Sequence, residues 1–183
     1  MNHKGTIYME TDSIILRPFN LNDTVPLFTN CGSDADVTRY MTWTTQTDIE
    51  QTKASVASWV GRYLNDDFYH WAIVEKEENN MIGFISVIAC DENVKQVETG
   101  YAIGKKWWGK GYMTEALTAV INYLFNEVGV NRIYARHDTK NPASGKVMQK
   151  CGMRYEGIMR QSEITNNGLC DLACYAILAE DKK

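Results

Sequence analysis

The stretch that most constrains this chain runs from residue 94 to 128: a strand-like run VKQVETGYAI, a loop GKKWWGKG, and a helix pattern uninterrupted by Gly or Pro. Met113, Ala116, Leu117, Val120, Leu124 and Val128 recur at helical spacing, which predicts one apolar face packed on a core over 112–128. Gly109 and Gly111 leave backbone N–H groups unobstructed at the helix start. Unpaired donors and the positive helix end together favour an anion there, and Lys105, Lys106 and Lys110 add local charge.

Three phosphate-binding readings compete for this loop. Gly104 through Gly109 and Lys110 satisfy GxxxxGK, but Gly111 stands where a P-loop needs Ser or Thr for magnesium, and two tryptophans crowd a loop that wants small residues. A dinucleotide fingerprint fails at Thr114, which occupies the position of the third glycine. The third reading, a pyrophosphate seated on the start of the helix, needs only what is present. Its plain alternative is a tight strand-to-helix turn with solvated lysines.

The 183 residues are 44% hydrophobic, enough for one ordinary domain with a real core. A net charge of -4 and a pI near 5.4 argue against a general polyanion binder, so any anion site is local. The opening MNHKGTIYMETD lacks a basic segment before an apolar run, and no stretch approaches eighteen uncharged apolar residues. The expectation is a cytoplasmic protein. Cys31, Cys90, Cys151, Cys170 and Cys174 are odd in number and scattered, which suits reduced thiols. Cys170 and Cys174 have no matching pair nearby, and His3, His70 and His137 lie far apart in sequence, so no metal is expected.

Short segments alternate along the rest of the chain. Strands are predicted at 14–19, 69–76, 81–90, 94–103, 131–137, 153–164 and 169–179. Helices are predicted near 23–31 with Asn22 or Asp23 as cap, at 47–64 with Thr47 and Glu50 in capping-box spacing, and at 141–152. That last helix has an Asn cap, Pro at its first position and Gly past its end. Asn166, Asn167 and Gly168 predict the turn of a final hairpin. The result is a mixed sheet with helices on its faces.

At this point a family resemblance enters. KWWGKGYMTEA, from Lys106 to Ala116, resembles the Q/R-x-x-G-x-G/A acyl-CoA signature of the GNAT superfamily of N-acetyltransferases, in the form found in its ribosomal-protein (Rim-type) branch. Lys106 stands where Gln or Arg is usual. NPASGKVMQKCGM, from Asn141 to Met153, is similar to the family's N-x-x-S/A-x-x-L-Y-x-K-x-G-F helix, and IILRPF to a common opening of the same branch. The resemblance spans residues 13–179 as a single domain, with 1–12 and 180–183 as terminal extensions. It implies an α/β (α+β) GNAT fold: a mostly antiparallel seven-stranded sheet, splayed at its middle, with helices on both faces and acetyl-CoA between the fourth and fifth strands. Tyr101, Ala102 and Ile103 would then meet the pantetheine arm. Lys106, Trp107, Trp108, Gly109, Lys110, Gly111, Tyr112, Met113 and Thr114 would form the pyrophosphate loop. Asn141 and Ser144 would approach the pantetheine and thioester, and Lys150 would be a further phosphate partner. Asn141 also reads as a simple helix cap, and Lys150 as a cation favourable at a helix C-terminus.

Acetyl transfer from a thioester to an amine needs a neutral nucleophile, a donor to the developing oxyanion and a proton for the departing thiolate. An α-amine near pKa 8 is roughly a tenth neutral at pH 7, whereas a lysine near 10.4 is below roughly a thousandth. Many superfamily members protonate the thiolate with a Tyr at the position that is Met148 here, and methionine cannot donate. In the Rim-type branch a Ser one turn earlier is given that role, and Ser144 occupies it. The resemblance offers two bases: Glu163, on the strand after that helix, and Glu98, on the fourth strand. Either also reads as a solvated strand carboxylate. The segment 37–44, with Trp59, Tyr69 and Trp71, offers aromatics for an acceptor groove or for the core. His137 reads as a proton relay or as a packed histidine. The implied partners are acetyl-CoA and an amine acceptor, either a protein N-terminus such as that of a ribosomal protein or a small molecule such as an antibiotic, polyamine or amino acid. A non-catalytic acyl-CoA-binding module is the alternative. Adjacent tryptophans and strand edges are compatible with a homodimer, and nothing in the sequence requires one.

Overall fold

The computed structural model describes residues 1–182. Lys183, the last residue of the expected C-terminal extension, lies outside the described residues. Eight strands form one sheet: β1 (Met9–Glu10), β2 (Ile14–Pro18), β3 (His70–Glu75), β4 (Met81–Asp91), β5 (Gln96–Ile103), β6 (Arg132–Asp138), β7 (Arg154–Thr165) and β8 (Gly168–Leu178). Their order is β1-β2-β3-β4-β5-β6-β8-β7, and every neighbouring pair is antiparallel except β5 with β6.

The expected seven strands are all present; β1 is the eighth. A two-residue strand is too short to show alternation. Residues 1–12 are thus packed against the sheet: the Trp71 indole donates to Ile7 O at 2.8 Å and the Tyr123 hydroxyl to Gly5 O at 2.7 Å.

The helices are α1 (Thr24–Leu27), α2 (Ala35–Thr38), α3 (Ile49–Arg62), α4 (Tyr112–Tyr123) and α5 (Pro142–Lys150). A wider turn, Leu124–Val128, extends α4 to the expected end, where Gly129 takes φ 77. Caps differ in part from the sequence expectation. Asp48, not Thr47, caps α3 by accepting from Glu50 N; Asp23 holds the expected N-cap position of α1 without a side-chain capping bond, and Asn20 caps the single turn Leu21–Asp23 that precedes it. At Asp48 and Asn20 one side-chain oxygen satisfies the first free N–H group.

Strand β3 shows why the first half of the sheet is stable. All six residues are buried, as expected of a strand covered on both faces. Trp71 and Ile73 pack toward the cluster containing Leu117, Val120 and Ile121 of α4, while Ala72 and Val74 pack toward Leu27 and Val56 of α1 and α3. Each large apolar side chain withdrawn from water here contributes about 1.5–3 kcal/mol. Tyr69 and Trp71 are core residues, not groove residues. Trp59 packs its ring against His70, 4.2 Å between centroids.

The sheet parts at β5 and β6. They pair only from Gln96 to Glu98 with Arg132 to Tyr134; beyond that, β5 continues to Ile103 on β4 alone and β6 to Asp138 on β8 alone. The facing edges of residues 99–103 and 135–138 therefore diverge. No helix among the described residues is long and apolar enough to cross a membrane.

Candidate active site

The splay opens directly onto the loop before α4. Gly109 and Gly111 adopt φ 76 and φ 92, in the left-handed region that favours glycine, and no atom lies within 4 Å of where a Cβ would sit on either. Gly111 is the N-cap of α4 and no side chain caps the helix, so its first-turn N–H groups face outward without a protein side-chain acceptor. Trp107 is buried against Gly104 and anchors the loop, and the Trp108 indole donates to Ile103 O at 2.8 Å.

A cavity of about 510 Å³ runs through the splay. Of the residues singled out in the sequence, 101–103, 107–109 and 111–114 line it. So do Asn141, Ser144 and Lys150 from α5 and its cap, and both glutamates. Lys106 and Lys110 do not line it. Lys106 lies 3.7 Å from Glu78, and Lys105 pairs with Asp36 at 2.5 Å, so two of the three loop lysines face carboxylates on other elements. A wider, open groove of about 730 Å³ shares Gly111, Thr114 and Lys150 with the cavity and runs over α4 to Thr11.

From β5 the Tyr101 hydroxyl reaches α5: it donates to Ser144 O at 3.2 Å and lies 2.9 Å from Ser144 Oγ. Burial pushes the Tyr101 phenol well above its usual range, so it stays protonated. Asn141 occupies the N-cap of α5, yet its side chain makes no capping bond, which leaves the carboxamide at the cavity wall. Gly145 permits the close approach of α5 to β6, since a Cβ there would sit 2.6 Å from His137 Nε2. His137 is half-buried and also lines the cavity: its Nδ1 lies 2.8 Å from Asp138 O, its ring stacks on Tyr175, and its Nε2 has no hydrogen-bond partner. Met148 is 1% exposed and fills core.

The two glutamates, equal candidates in sequence, differ in kind. Glu98 is 5% exposed and accepts from Arg136 Nε at 2.7 Å and Nη2 at 3.1 Å. That bond, opposed by burial, raises the Arg136 guanidinium further. Glu163 is half-buried and has no ion pair among the described residues. Its aim comes from a bulge: Met159 pairs with Leu172 and Glu163 with Cys170, so β7 carries two extra residues. Gln161 takes φ 49 in that bulge and its N–H donates to Asp171 at 2.8 Å. Such a bulge re-aims a side chain.

Other wall residues were not singled out in the sequence. These are Arg136, Asp138, Thr165 and Leu172; of the segment 37–44, which the sequence did offer for a groove, Val37, Tyr40, Met41 and Thr42 line the cavity. Asp138 and Arg136 alternate on β6, a signal visible in NRIYARHD but readable only once that strand is known to border an opening. The Asn166 side chain donates to Thr38 O at 2.9 Å and Trp43 O at 2.8 Å, tying the β7–β8 turn to this segment. Outside the cavity, His3, Cys90 and Glu92 gather at the surface although they are distant in sequence.

A sheet splayed beside an uncapped, glycine-flanked helix start leaves backbone N–H groups and two unpaired strand edges open to a ligand. Residues 13–154 match the acetyltransferase (GNAT) domain, and the chain belongs to the GNAT family. It is an acetyl-CoA-dependent N-acetyltransferase. The uncharacterized N-acetyltransferase YoaA of Bacillus subtilis (strain 168) is 31% identical over 93% of this chain and 96% of its own. The crystal structure of a GNAT-family acetyltransferase from Bacillus anthracis superposes with a TM-score of 0.83 at 28% identity, covering 95% of this chain and 99% of that one. The [ribosomal protein uS5]-alanine N-acetyltransferase of Escherichia coli (strain K12) is 34% identical over 49% of this chain and 46% of its own, so the Rim-type likeness is partial.

Proposed function

We propose that this enzyme moves the acetyl group of acetyl-CoA to a primary amine by direct attack in a ternary complex, with Glu163 as general base. The observation that carries the reading is one continuous cavity with an uncapped helix start at one end and an unpaired carboxylate at the other. The pyrophosphate takes the N–H groups of the loop and of the first turn of α4, through Gly109, Gly111 and Thr114. Lys150, shared by the cavity and the outer groove, lies where the adenosine end leaves. The pantetheine replaces the missing strand pairing along residues 101–103, and the Asn141 carboxamide bonds it from the other side.

Glu163 takes the amine proton as the nitrogen attacks. Glu98 is held by Arg136 and orders the seam. Ser144 hydrogen-bonds the departing thiolate, oriented by Tyr101. A phenol pushed above its usual range is a reluctant acid, so Tyr101 serves as a fixed donor and not as the proton source.

The acceptor is an α-amine at a chain end, supported by the larger neutral fraction of such an amine at pH 7 and by the partial similarity to a ribosomal-protein alanine N-acetyltransferase. The five free thiols suit action in the reducing cytoplasm. The test is thiol release from acetyl-CoA with short peptides of free or blocked N-terminus and with small amines. Release dependent on a free α-amine is the expected result; release only with small amines would move the acceptor, and release with none would overturn acetyl transfer.

A further inference from the structure

Two carboxylates on the cavity wall have no cation partner among the described residues: Glu163 and Asp138. Asp138 ends β6 and is 2% exposed. Its Oδ1 accepts from Lys140 N at 2.8 Å and starts the turn into α5, whereas Oδ2 is buried with no hydrogen-bond partner. The turn needs one oxygen. A second carboxylate oxygen left bare in a protein interior is costly, and native structures pair such groups with a ligand, an ion or an ordered water.

The strand register puts both carboxylates on one side of the sheet. Asp138 lies opposite Leu172, and Glu163 opposite Cys170 two residues along the same strand. The Cys170 thiol is pushed up by burial first, then by the Asp138 charge, and least by its contact with the Asp138 carboxylate, in which the thiol, a weak donor, falls short of hydrogen-bond geometry and leaves Oδ2 unsatisfied. Of the cations on this wall, Arg136 is bonded to Glu98, and Lys146 and Lys150 make no ion pair among the described residues.

We propose that Asp138 is a second cation subsite in the acceptor end of the cavity. The preferred acceptors are then primary amines carrying another positive charge a few bonds from the reacting nitrogen. This rests on the acetyl-transfer reading, in which one reacting amine occupies Glu163 and Asp138 is the carboxylate left over. The bond changes do not involve Asp138. The acceptor nitrogen bonds to the thioester carbon, the carbon–sulfur bond breaks, the nitrogen's proton passes to Glu163, and coenzyme A leaves as thiolate.

Such a dication is either a small diamine or a chain end with a basic second residue, and two matched pairs separate them: 1,4-diaminobutane against butylamine, and Ala-Lys amide against Ala-Leu amide. Each is measured by thiol release and by calorimetric binding to CoA-saturated protein. The dication of at least one pair is expected to win by roughly tenfold or more, the scale of one charge-assisted hydrogen bond. Asp138→Asn keeps an oxygen for the Lys140 turn, and its preference should fall toward one while the Kd for acetyl-CoA stays put. Equal wild-type affinity within both pairs overturns the subsite, and needs no variant to be seen. A preference that survives in Asp138→Asn overturns it as well. Binding preference without turnover would sink acetyl transfer and uphold the subsite; turnover without preference would do the reverse.

Discussion

The two halves of the sheet on either side of the splay are built differently. Before it, β3 is buried along its whole length, with α4 on one side and α1 and α3 on the other. After it, Ile133, Ala135 and Tyr175 face the α4 side, but the opposite face carries Tyr134, Arg136 and Cys174 half-buried, and β7 is exposed along most of its length. On the strand covered on both sides the one carboxylate, Glu75, stands at its end and is taken up by the N–H groups of the following turn and by Asn80. A strand covered on one side has a free face for polar side chains, and Arg136, Asp138 and Glu163 all stand on that face. The proposed base and the other carboxylate thus stand in the half after the splay, while the fully buried strand lies before it.

Three experiments probe that division. The largest effect is expected in the open half. Glu163→Gln should lower kcat by about 10²–10⁴-fold, the usual worth of a positioned base, with little change in the urea midpoint. A kcat within a few-fold of wild type would remove Glu163 as base. At the seam, Arg136→Met leaves Glu98 buried and unpaired, and should cost about 2–3 kcal/mol in urea unfolding, somewhat below the range for fully buried pairs because Arg136 is partly exposed. Adding Glu98→Leu should recover much of that loss. An unchanged midpoint in the single variant would show the pair to be structurally idle.

The smallest effect belongs to the closed half. His70 sits among Phe19, Trp59 and Phe84, and burial, with Arg62 adding, pushes its imidazole down to about 3 from 6.5. The unfolded chain therefore binds this proton first as the pH drops. Stability is present in full above about pH 6.5 and is lost as pH falls toward 3, at about 1.4 kcal/mol per pH unit. His70→Phe should flatten that slope between pH 6.5 and 5; an identical slope in the variant would contradict it.

The parts that sequence made legible are those with long periodicity. Seven strands and the apolar face of α4 are readable from 112–128 and its neighbours, and the glycine loop is readable because failures at Gly111 and Thr114 excluded two of three phosphate readings. The four-residue α2 and the two-residue β1 are shorter than any period. The state of the two glutamates was not legible, because the partner of Glu98 lies 38 residues away and becomes adjacent only through parallel pairing of β5 and β6. The bulge that aims Glu163 was hidden for another reason: its left-handed residue is Gln161, where glycine would have announced it. Asp138 escaped attention because Asn141 and Pro142 already accounted for the start of α5.

Asn166 bears on what the enzyme admits. Its amide group and N–H donate to Thr38 O, Trp43 O and Met41 O, so the final hairpin is tied to the segment after α2 beside the cavity. Parting them breaks three hydrogen bonds, about 2–4 kcal/mol net. On the proposed reading, a slender chain end would reach Glu163 with those bonds intact, whereas a folded surface would have to break them.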